Sequence, residues 1–312
     1  MTQSLKRQRV VALLNASAGS VGRQDNANLG ETLTAAFERH GISATLEFLP
    51  AAELRSGAER AVRQAIDQEL DAVVVGGGDG TIRTVASVLA DSGVPLGIIP
   101  LGTLNHFAKD LGIPLALYDA VAVIAAGETR FVDAGEVNGE IFINNSSIGI
   151  YPYLVFDRER RRSSDGHAKW VAMLLAALRT LRNFPLRRLS IFAEGWSGPC
   201  RSPCVFVGNN DYCLAGRALG KRERLDGGEL CLYVAKEQGR LALFWLACRS
   251  VLGLLDQSHD LRTVKVSAAE INSHTSRLLV ACDGEVDFIR TPLRYRTRPA
   301  ALRVFAPAAA RA

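Results

Sequence analysis

The stretch Ala72-Val73-Val74-Val75-Gly76-Gly77-Gly78-Asp79-Gly80-Thr81 decides how the first half of the chain is read. The apolar run Ala-Val-Val-Val predicts a short buried strand. The glycines that follow predict a tight turn, because glycine alone tolerates backbone angles and close approaches closed to other residues. Beyond the turn, Ile82, Val85, Ala86 and Leu89 recur at helical spacing. Strand, glycine turn and helix therefore follow one another directly.

The same alternation extends on both sides. Residues 10–14 predict a strand, and the polar turn after it carries Asn15 and several small residues. Leu29, Leu33, Ala36 and Phe37 mark a helix that Gly41 closes, and residues 42–48 read as a strand. Leu54, Ala58, Ala61, Val62, Ala65 and Ile66 give a second amphipathic helix. Residues 96–99 form another strand, residues 100–106 lead into a short helix, and Leu117, Ala120, Val121 and Ile124 make one more. Continuous apolar strands separated by helices predict a mostly parallel sheet covered on both faces, a three-layer α/β domain.

Near residue 130 the pattern changes. Residues 131–137 and 140–144 flank Asn138-Gly139, a strong hairpin signal. Runs around residues 189–193, 204–207, 230–234, 264–267 and 277–281 predict antiparallel strands. The expected division is an α/β domain over residues 1–131 and an antiparallel β domain over residues 132–297. A basic, helical excursion over residues 151–184 interrupts the second domain, and residues 239–255 read as another helix.

Composition sets the outer limits. The 312 residues are 48% hydrophobic and 22% charged, with 28 Gly and 11 Pro, which excludes collagenous, low-complexity and wholly disordered classes. Lys and Arg number 37 against 32 Asp and Glu, a surplus of +5 that suits an anionic partner without demanding nucleic acid. No run reaches the roughly 18 apolar residues of a membrane span. The basic N-terminus runs straight into a strand, with no cleavage site of the secretory kind. The six cysteines lack zinc spacing and read as reduced thiols of a cytoplasmic protein, a Cys200–Cys204 bridge being the alternative.

In a parallel α/β sheet, ligands bind beyond the carboxyl ends of the strands. Three turns rich in Gly and small polar residues fall there, at residues 15–22, 76–81 and 100–105. Glycines leave backbone N–H groups open to anionic oxygens, and a following helix dipole favours phosphate. Asp79 would repel phosphate, so it is expected to orient the loop, to contact a ribose hydroxyl or to act through Mg²⁺. A dinucleotide fingerprint counted from Gly76 fails at Thr81, and no Gly-Lys-Ser/Thr follows any turn. A nucleotide site here relies on backbone amides, hydroxyls and metal.

Val-Val-Gly-Gly-Gly-Asp-Gly-Thr at 74–81, coupled to Ile-Ile-Pro-Leu-Gly-Thr-Leu-Asn-His-Phe-Ala-Lys-Asp-Leu-Gly-Ile-Pro at 98–114, resembles the diacylglycerol kinase catalytic-domain family. That family includes bacterial lipid kinases and the sphingosine and ceramide kinases. The similarity continues through residues 15–19, 144–149, Asn209-Asn210, 225–230 and Asp283-Gly284-Glu285. It implies a nucleotide domain, a β-sandwich lipid-substrate domain, an active site in the cleft between them, and a last strand within about 298–312 that returns to the first domain. It also implies ATP-dependent, Mg²⁺-dependent phosphorylation of a lipid hydroxyl, a step of phospholipid or other lipid metabolism. By position, Asn15, Gly76, Gly77, Gly78, Asp79, Gly80, Thr81, Gly102, Thr103 and Asn105 would bind ATP. Asp226, with the backbone carbonyls of Glu223 and Gly228, matches a structural Mg²⁺ site. Glu285 matches the proton acceptor, with Asp283 beside it as a second catalytic carboxylate. Three departures stand out. Ala16 replaces a usual Pro, Arg83-Thr84 a usual Asn-Glu, and His106 a common Asp.

Residues 151–189 carry nine Arg and Lys, among them Arg160, Arg161 and Arg162, against three acidic residues. Leu174, Leu175, Leu178 and Leu181 lie beside them, so the segment reads either as a face for anionic lipid or as a solvated helix. Expected partners are a lipid substrate and an anionic membrane surface, peripheral to its inner face, and not nucleic acid. A homodimer is compatible with the sequence. Two other readings are a soluble-substrate kinase resembling NAD kinase and a nucleotide- or lipid-binding regulator without catalysis.

Overall fold

In the computed structural model, β1 (Arg9–Asn15) leads through α1 (Arg23–Arg39) to β2 (Ser43–Leu49), which pairs parallel to β1 along its whole length. The residues described are 8–17, 23–67, 69–149, 152, 187–213, 220–236 and 261–308. The expected basic excursion after residue 152, the helix over residues 239–255, Cys248 and the last part of the turn at residues 15–22 lie outside them.

The described chain divides into two units, residues 1–134 with 299–312 and residues 135–298, against expected breaks at 131/132 and 297/298. In the first unit, α2 (Leu54–Ile66) follows β2 and leads to β3 (Ala72–Gly77) on the other side of β1. Then come α3 (Asp79–Leu89) and β4 (Leu96–Pro100), which pairs parallel to β3. The short α4 (His106–Asp110) and α5 (Leu117–Ala126) complete the helices. The sheet order β2-β1-β3-β4 means the chain first steps one way from β1 and then the other. With right-handed crossovers, α1 must then lie on one face and α2 and α3 on the opposite one. The packing agrees, since α1 meets α5 and α2 meets α3. Covered on both sides, β3 is buried along its whole length. On α3 the buried residues are Thr81, Ile82, Val85, Ala86 and Leu89, the expected stripe with Thr81 added.

The second unit is antiparallel. β5 (Thr129–Val137) enters it and turns through Asn138-Gly139 into β6 (Glu140–Phe142). Both turn residues have positive φ, 50° and 93°, as a two-residue hairpin requires. β7 (Asn145–Gly149) follows, then β8 (Arg187–Ala193), β9 (Trp196–Ser202), β10 (Cys204–Asn209) and β11 (Leu230–Ala235). β12 (Leu261–Val266), β13 (Ala268–Ser273), β14 (Arg277–Cys282), β15 (Glu285–Arg290) and β16 (Leu293–Phe305) end the chain. One layer has the order β12-β11-β10-β7-β14-β15. The other joins the first half of β16 to β13, β8 and β9. Ile148, Val205, Val207, Leu230, Leu232 and Val280 of the first layer share one core with Leu189, Ile191, Ile271, Leu293 and Tyr295 of the second, which makes a sandwich. The second half of β16 belongs to the first unit, where Val304 pairs parallel with Leu96.

Among the described residues Cys200, Cys204, Cys213, Cys231 and Cys282 are free thiols, so no Cys200–Cys204 bridge forms. Burial pushes the Cys231 thiol up to about 12, with the nearby Asp211 carboxylate adding to the effect. It stays protonated at neutral pH.

Candidate functional site

The three turns expected to carry the chemistry meet at the carboxyl ends of β1, β3 and β4. Asn15, the last residue of β1, donates from Nδ2 to Thr81 Oγ1 at 2.9 Å and accepts the Ser17 N–H at 2.9 Å. That ties the first turn to the second. Leu101 N–H donates to the Gly77 carbonyl at 3.0 Å, which ties the third turn to the second. Both oxygens of Asp79 accept backbone N–H groups from the start of α4, His106 to Oδ2 and Phe107 to Oδ1, each at 3.2 Å. Of the expected roles for Asp79, orienting the loop is the one its hydrogen bonds display. The positive end of α4 is thereby already met by a carboxylate.

The glycines divide by what surrounds them. A Cβ on Gly76 would stand 2.3 Å from Leu14 Cδ2, and one on Gly77 would stand 2.5 Å from Thr81 Cβ. Both are small for the sake of internal packing and both are buried. Gly78 and Gly102 lie back to back. A Cβ on Gly102 would come within 2.4 Å of Gly78 Cα, and one on Gly78 within 3.3 Å of Gly102 Cα. The two turns can therefore touch only as glycines. Asn105, with a left-handed backbone, holds the third turn from within: its Oδ1 accepts the Gly102 N–H at 2.9 Å and its Nδ2 donates to the Gly102 carbonyl at 2.7 Å. It is buried, whereas Thr103 is exposed and Gly78, Asp79 and Gly80 are half-buried. Helical hydrogen bonding in α3 starts with Ile82 N–H to Gly78 O, so the N–H groups of Asp79, Gly80 and Thr81 precede it. A helix start flanked by glycines is a surface an anionic oxygen can approach. The residues that can face a phosphate are thus Gly78, Gly80, Thr81 and Thr103. Gly76, Gly77, Asp79 and Asn105 build the shape beneath them.

In the second unit, Asp283 and Gly284 form the two-residue turn between β14 and β15, with φ of 51° and 88°. The Asp283 carboxylate accepts three backbone N–H groups, from Ile143 to Oδ2 at 2.8 Å and from Asn144 and Asn145 to Oδ1 at 2.8 and 2.9 Å. Its own N–H donates to the Asn145 carbonyl at 2.8 Å. These bonds are what allow a carboxylate to sit half-buried there. They give Asp283 an anchoring job, fixing the loop before β7 against the hairpin. Glu285, paired with Cys282 across the hairpin, is exposed. Of the two carboxylates it is the one open to solvent.

A residue that the sequence reading did not single out completes this network. Arg222 is 5% exposed, and its guanidinium donates to the Ile143 carbonyl at 2.7 Å, the Asn209 carbonyl at 3.1 Å and Asn144 Oδ1 at 2.7 Å. Asn209 Nδ2 donates to the same Ile143 carbonyl at 3.0 Å. Residues 143–145 are therefore gripped by Asp283 on their N–H groups and by Arg222 and Asn209 on their oxygens.

The turn at Asp226 is the one expected to hold a metal. Gly227 N–H donates to Asn210 Oδ1 at 2.8 Å, which fixes the turn. The Asp226 carboxylate is exposed and pairs with Arg224 at 3.2 Å, while Glu223 is exposed and Gly228 takes a φ of 68°. No group of three or more His, Cys, Asp or Glu side chains that could hold a metal ion occurs among the described residues. The turn offers Asp226 as its one carboxylate, and the other oxygens of the expected set are the backbone carbonyls of Glu223 and Gly228, the hard donors that Mg²⁺ or Ca²⁺ takes.

A parallel α/β unit with interlocked glycine turns at its strand ends, followed by an antiparallel sandwich, defines a class of phosphotransferases. Residues 9–137 match the diacylglycerol kinase catalytic domain, and residues 158–306 match the YegS C-terminal NAD kinase beta sandwich-like domain. A Pseudomonas syringae protein described as "Probable lipid kinase YegS-like" is 32% identical over 264 residues, covering 80% of this chain and 81% of its own. A Bacillus subtilis diacylglycerol kinase is 41% identical over 103 residues, 32% of this chain and 34% of its own. Among solved structures, a diacylglycerol kinase from Bacillus anthracis superposes with a TM-score of 0.66 at 20% identity, covering 96% of this chain and 97% of its own, and so shares the fold. The chain belongs to the diacylglycerol kinase and YegS-like family of lipid kinases.

Proposed function

We propose that the chain uses ATP with Mg²⁺ to phosphorylate the hydroxyl of a lipid of the diacylglycerol type. The observation that carries this reading is the interlocking of three turns at the ends of β1, β3 and β4, which leaves Gly78 and Gly80 half-buried at the start of α3, where backbone N–H groups precede the helical hydrogen bonding. In the proposed reaction a bond forms between the lipid oxygen and the γ-phosphorus while the bond to the β-phosphate oxygen breaks. Bound Mg²⁺ would supply charge neutralisation at the phosphates. Backbone N–H groups of α3 hold phosphate oxygens, and Glu285 takes the proton of the lipid hydroxyl. Asp283 acts as a positioning residue, because its oxygens are engaged by residues 143–145.

The described residues hold no helix long and apolar enough to cross a membrane. A peripheral contact with an anionic bilayer is proposed for reaching the substrate, supported by the nine Arg and Lys against three acidic residues over residues 151–189. The test is turnover of Mg²⁺-ATP with detergent-dispersed lipid extract against NAD. Phosphate appearing in lipid supports the reading, and phosphorylation of NAD alone replaces it with a soluble-substrate kinase. A chain that binds ATP but phosphorylates neither acceptor, while lipids of the extract still bind, is the regulator of the third reading.

A further inference from the structure

The peptide unit that joins Ile143 to Asn144 is held by opposite charges at its two ends. Its carbonyl oxygen accepts from the Arg222 guanidinium at 2.7 Å, and its N–H donates to Asp283 Oδ1 at 2.8 Å. Residues 143 and 144 stand between β6 and β7, so side chains do here what a strand ladder does elsewhere. Neighbouring bonds repeat the pattern. Arg222 also donates to Asn144 Oδ1 at 2.7 Å, and Asp283 also accepts the N–H groups of Ile143 and Asn145. Ile143 is fully buried and Asn144 is 5% exposed. Hydrogen bonds with an ionised partner are shorter and stronger than neutral ones, and in a buried setting bonds in series polarise one another.

Arg222 is itself fixed before it reaches this peptide. Its backbone bridges to Tyr212, and its guanidinium lies 5.4 Å from the centre of the Tyr212 ring. The Tyr212 N–H donates to Tyr233 Oη at 2.8 Å, which joins it to β11. A further donation from the guanidinium, to the Asn209 carbonyl, holds the end of β10. On the far side of the peptide, Asp283 opens the two-residue turn that Glu285 closes. An exposed carboxylate takes its direction from the turn beneath it, and this turn takes its place from residues 143–145.

We infer that Arg222 is a positioning residue for phosphate transfer. Through the Ile143–Asn144 peptide and the Asp283 carboxylate it sets where the Glu285 carboxylate stands. The inference rests on the lipid kinase reading for the role of Glu285. Arginine suits the task because its planar fork spans several acceptors at once, whereas a lysine ammonium is a compact point charge. A reacting group displaced by about 1 Å can lose about 100-fold in rate.

The experiment measures steady-state phosphorylation of detergent-dispersed lipid extract by the full chain, with ATP and lipid varied separately. The proteins are the wild type, Arg222→Met, Arg222→Lys, Glu285→Gln and Arg222→Met/Glu285→Gln. Arg222→Met should lose about 100-fold in kcat, the worth of such a displacement. Its KM for ATP should stay within about twofold, because the turns proposed to hold ATP belong to the first unit. Arg222→Lys should fall between the two, and it carries the test if Arg222→Met does not fold. Added to Glu285→Gln, Arg222→Met should cost less than about threefold more, because residues that act as a unit are not additive. An arginine that only held the fold together would lower the melting temperature and leave kcat per folded molecule at the wild-type value. That result in the folded variants overturns the inference. So does a full loss added on top of Glu285→Gln, which would give Arg222 a task of its own. Recovery of Arg222→Met by raised Mg²⁺ also overturns it, by assigning the residue to the turn at Asp226. A wild type that phosphorylates no lipid sinks the kinase reading and this inference with it, whereas an active wild type beside an unimpaired Arg222→Met sinks the inference alone.

Discussion

Two carboxylates two residues apart, Asp283 and Glu285, occupy opposite situations, and substitutions should separate them. Asp283 satisfies three backbone N–H groups, and replacing one of its oxygens by an amide nitrogen turns an acceptor into a donor facing donors. Asp283→Asn should cost about 1–3 kcal/mol of stability, the range for a buried polar group left unsatisfied, visible as a lower denaturation midpoint. Glu285→Gln should melt as the wild type does, bind ATP, and lose about 10²–10⁴-fold in phosphate transfer, the usual worth of a general base. A Glu285→Gln protein turning over within a few-fold of wild type would place the base elsewhere. The glycine pair makes a sharper steric prediction. Gly102→Ala drives a methyl to 2.4 Å from Gly78 Cα, backbone against side chain with no flexible atom to yield, whereas Gly78→Ala meets Gly102 Cα at 3.3 Å. Gly102→Ala should therefore destabilise by about 1–3 kcal/mol and weaken ATP binding. Gly78→Ala should melt closer to wild type while still interfering with phosphate. Equal melting temperatures for Gly102→Ala and wild type would contradict the close contact of the two turns.

At the scale of elements, the end of β5 is held to β16 by charge. Glu136 Oε2 accepts from Arg296 at 2.8 Å and from Arg298 at 2.6 Å, with the Glu136 side chain 9% exposed. Burial alone would raise its carboxyl, but the hydrogen bonds and charges of the two arginines outweigh it and hold the group below its ordinary value. A lowered carboxylate contributes stability that is complete above the unfolded glutamate value and is lost as pH falls through the folded one. Glu136→Gln should be less stable than wild type by about 1–2 kcal/mol at neutral pH. The gap between the two should close in melts taken at pH values well below the ordinary glutamate range, where the wild-type carboxyl takes up its proton. A gap independent of pH would assign the loss to packing. Element by element, legibility followed burial. The apolar runs of β1, β3, β4, β10, β11 and β14 announced strands, and the spacing on α3 and α5 announced helices. Trp196–Ser202, with Gly and Pro in its middle and alternate exposure, carries no apolar run and was not visible as β9. Asn145–Gly149 looks like a loop, yet β7 is buried in the middle of a sheet, because Ser146 finds Tyr295 Oη across the sandwich at 3.1 Å. The glycine turns of the site could be read from spacing alone. The anchoring by Asp283 and Arg222 could not, since their partners lie in distant segments of the sequence, at residues 143–145 and 209.

On the scale of the whole molecule, the chain leaves the first unit at Ala134 and comes back at Pro299, so that unit is finished only by the last residues of the sequence. What returns is not a loose tail. Ala301, Leu302, Val304, Phe305 and Ala306 are each between 0% and 4% exposed. The Ala300 N–H donates to Asp133 Oδ1 at 2.9 Å, Asp91 N–H donates to the Ala301 carbonyl at 2.7 Å, and Ala306 N–H donates to the Glu128 carbonyl at 3.2 Å. Removing them strips Leu302, Val304 and Phe305 from the core, each worth about 1.5–3 kcal/mol when fully buried. It also uncovers the edge of β4 that Val304 meets at Leu96. The sum is comparable with the roughly 5–15 kcal/mol that holds a whole domain folded. A chain ending at Arg298 should therefore lose amide protection in β3 and β4 and lose ATP binding together, since the turns that interlock Gly78, Asp79 and Gly102 stand at the ends of those strands. The second unit owns its core without those residues, so β10 and β11 should keep their protection in the same sample. A chain ending at Ala308 should behave as the full-length protein. Hydrogen exchange read strand by strand decides it. Protected β4 amides in the chain that stops at Arg298 would mean that the returning strand adds stability to a unit already complete without it.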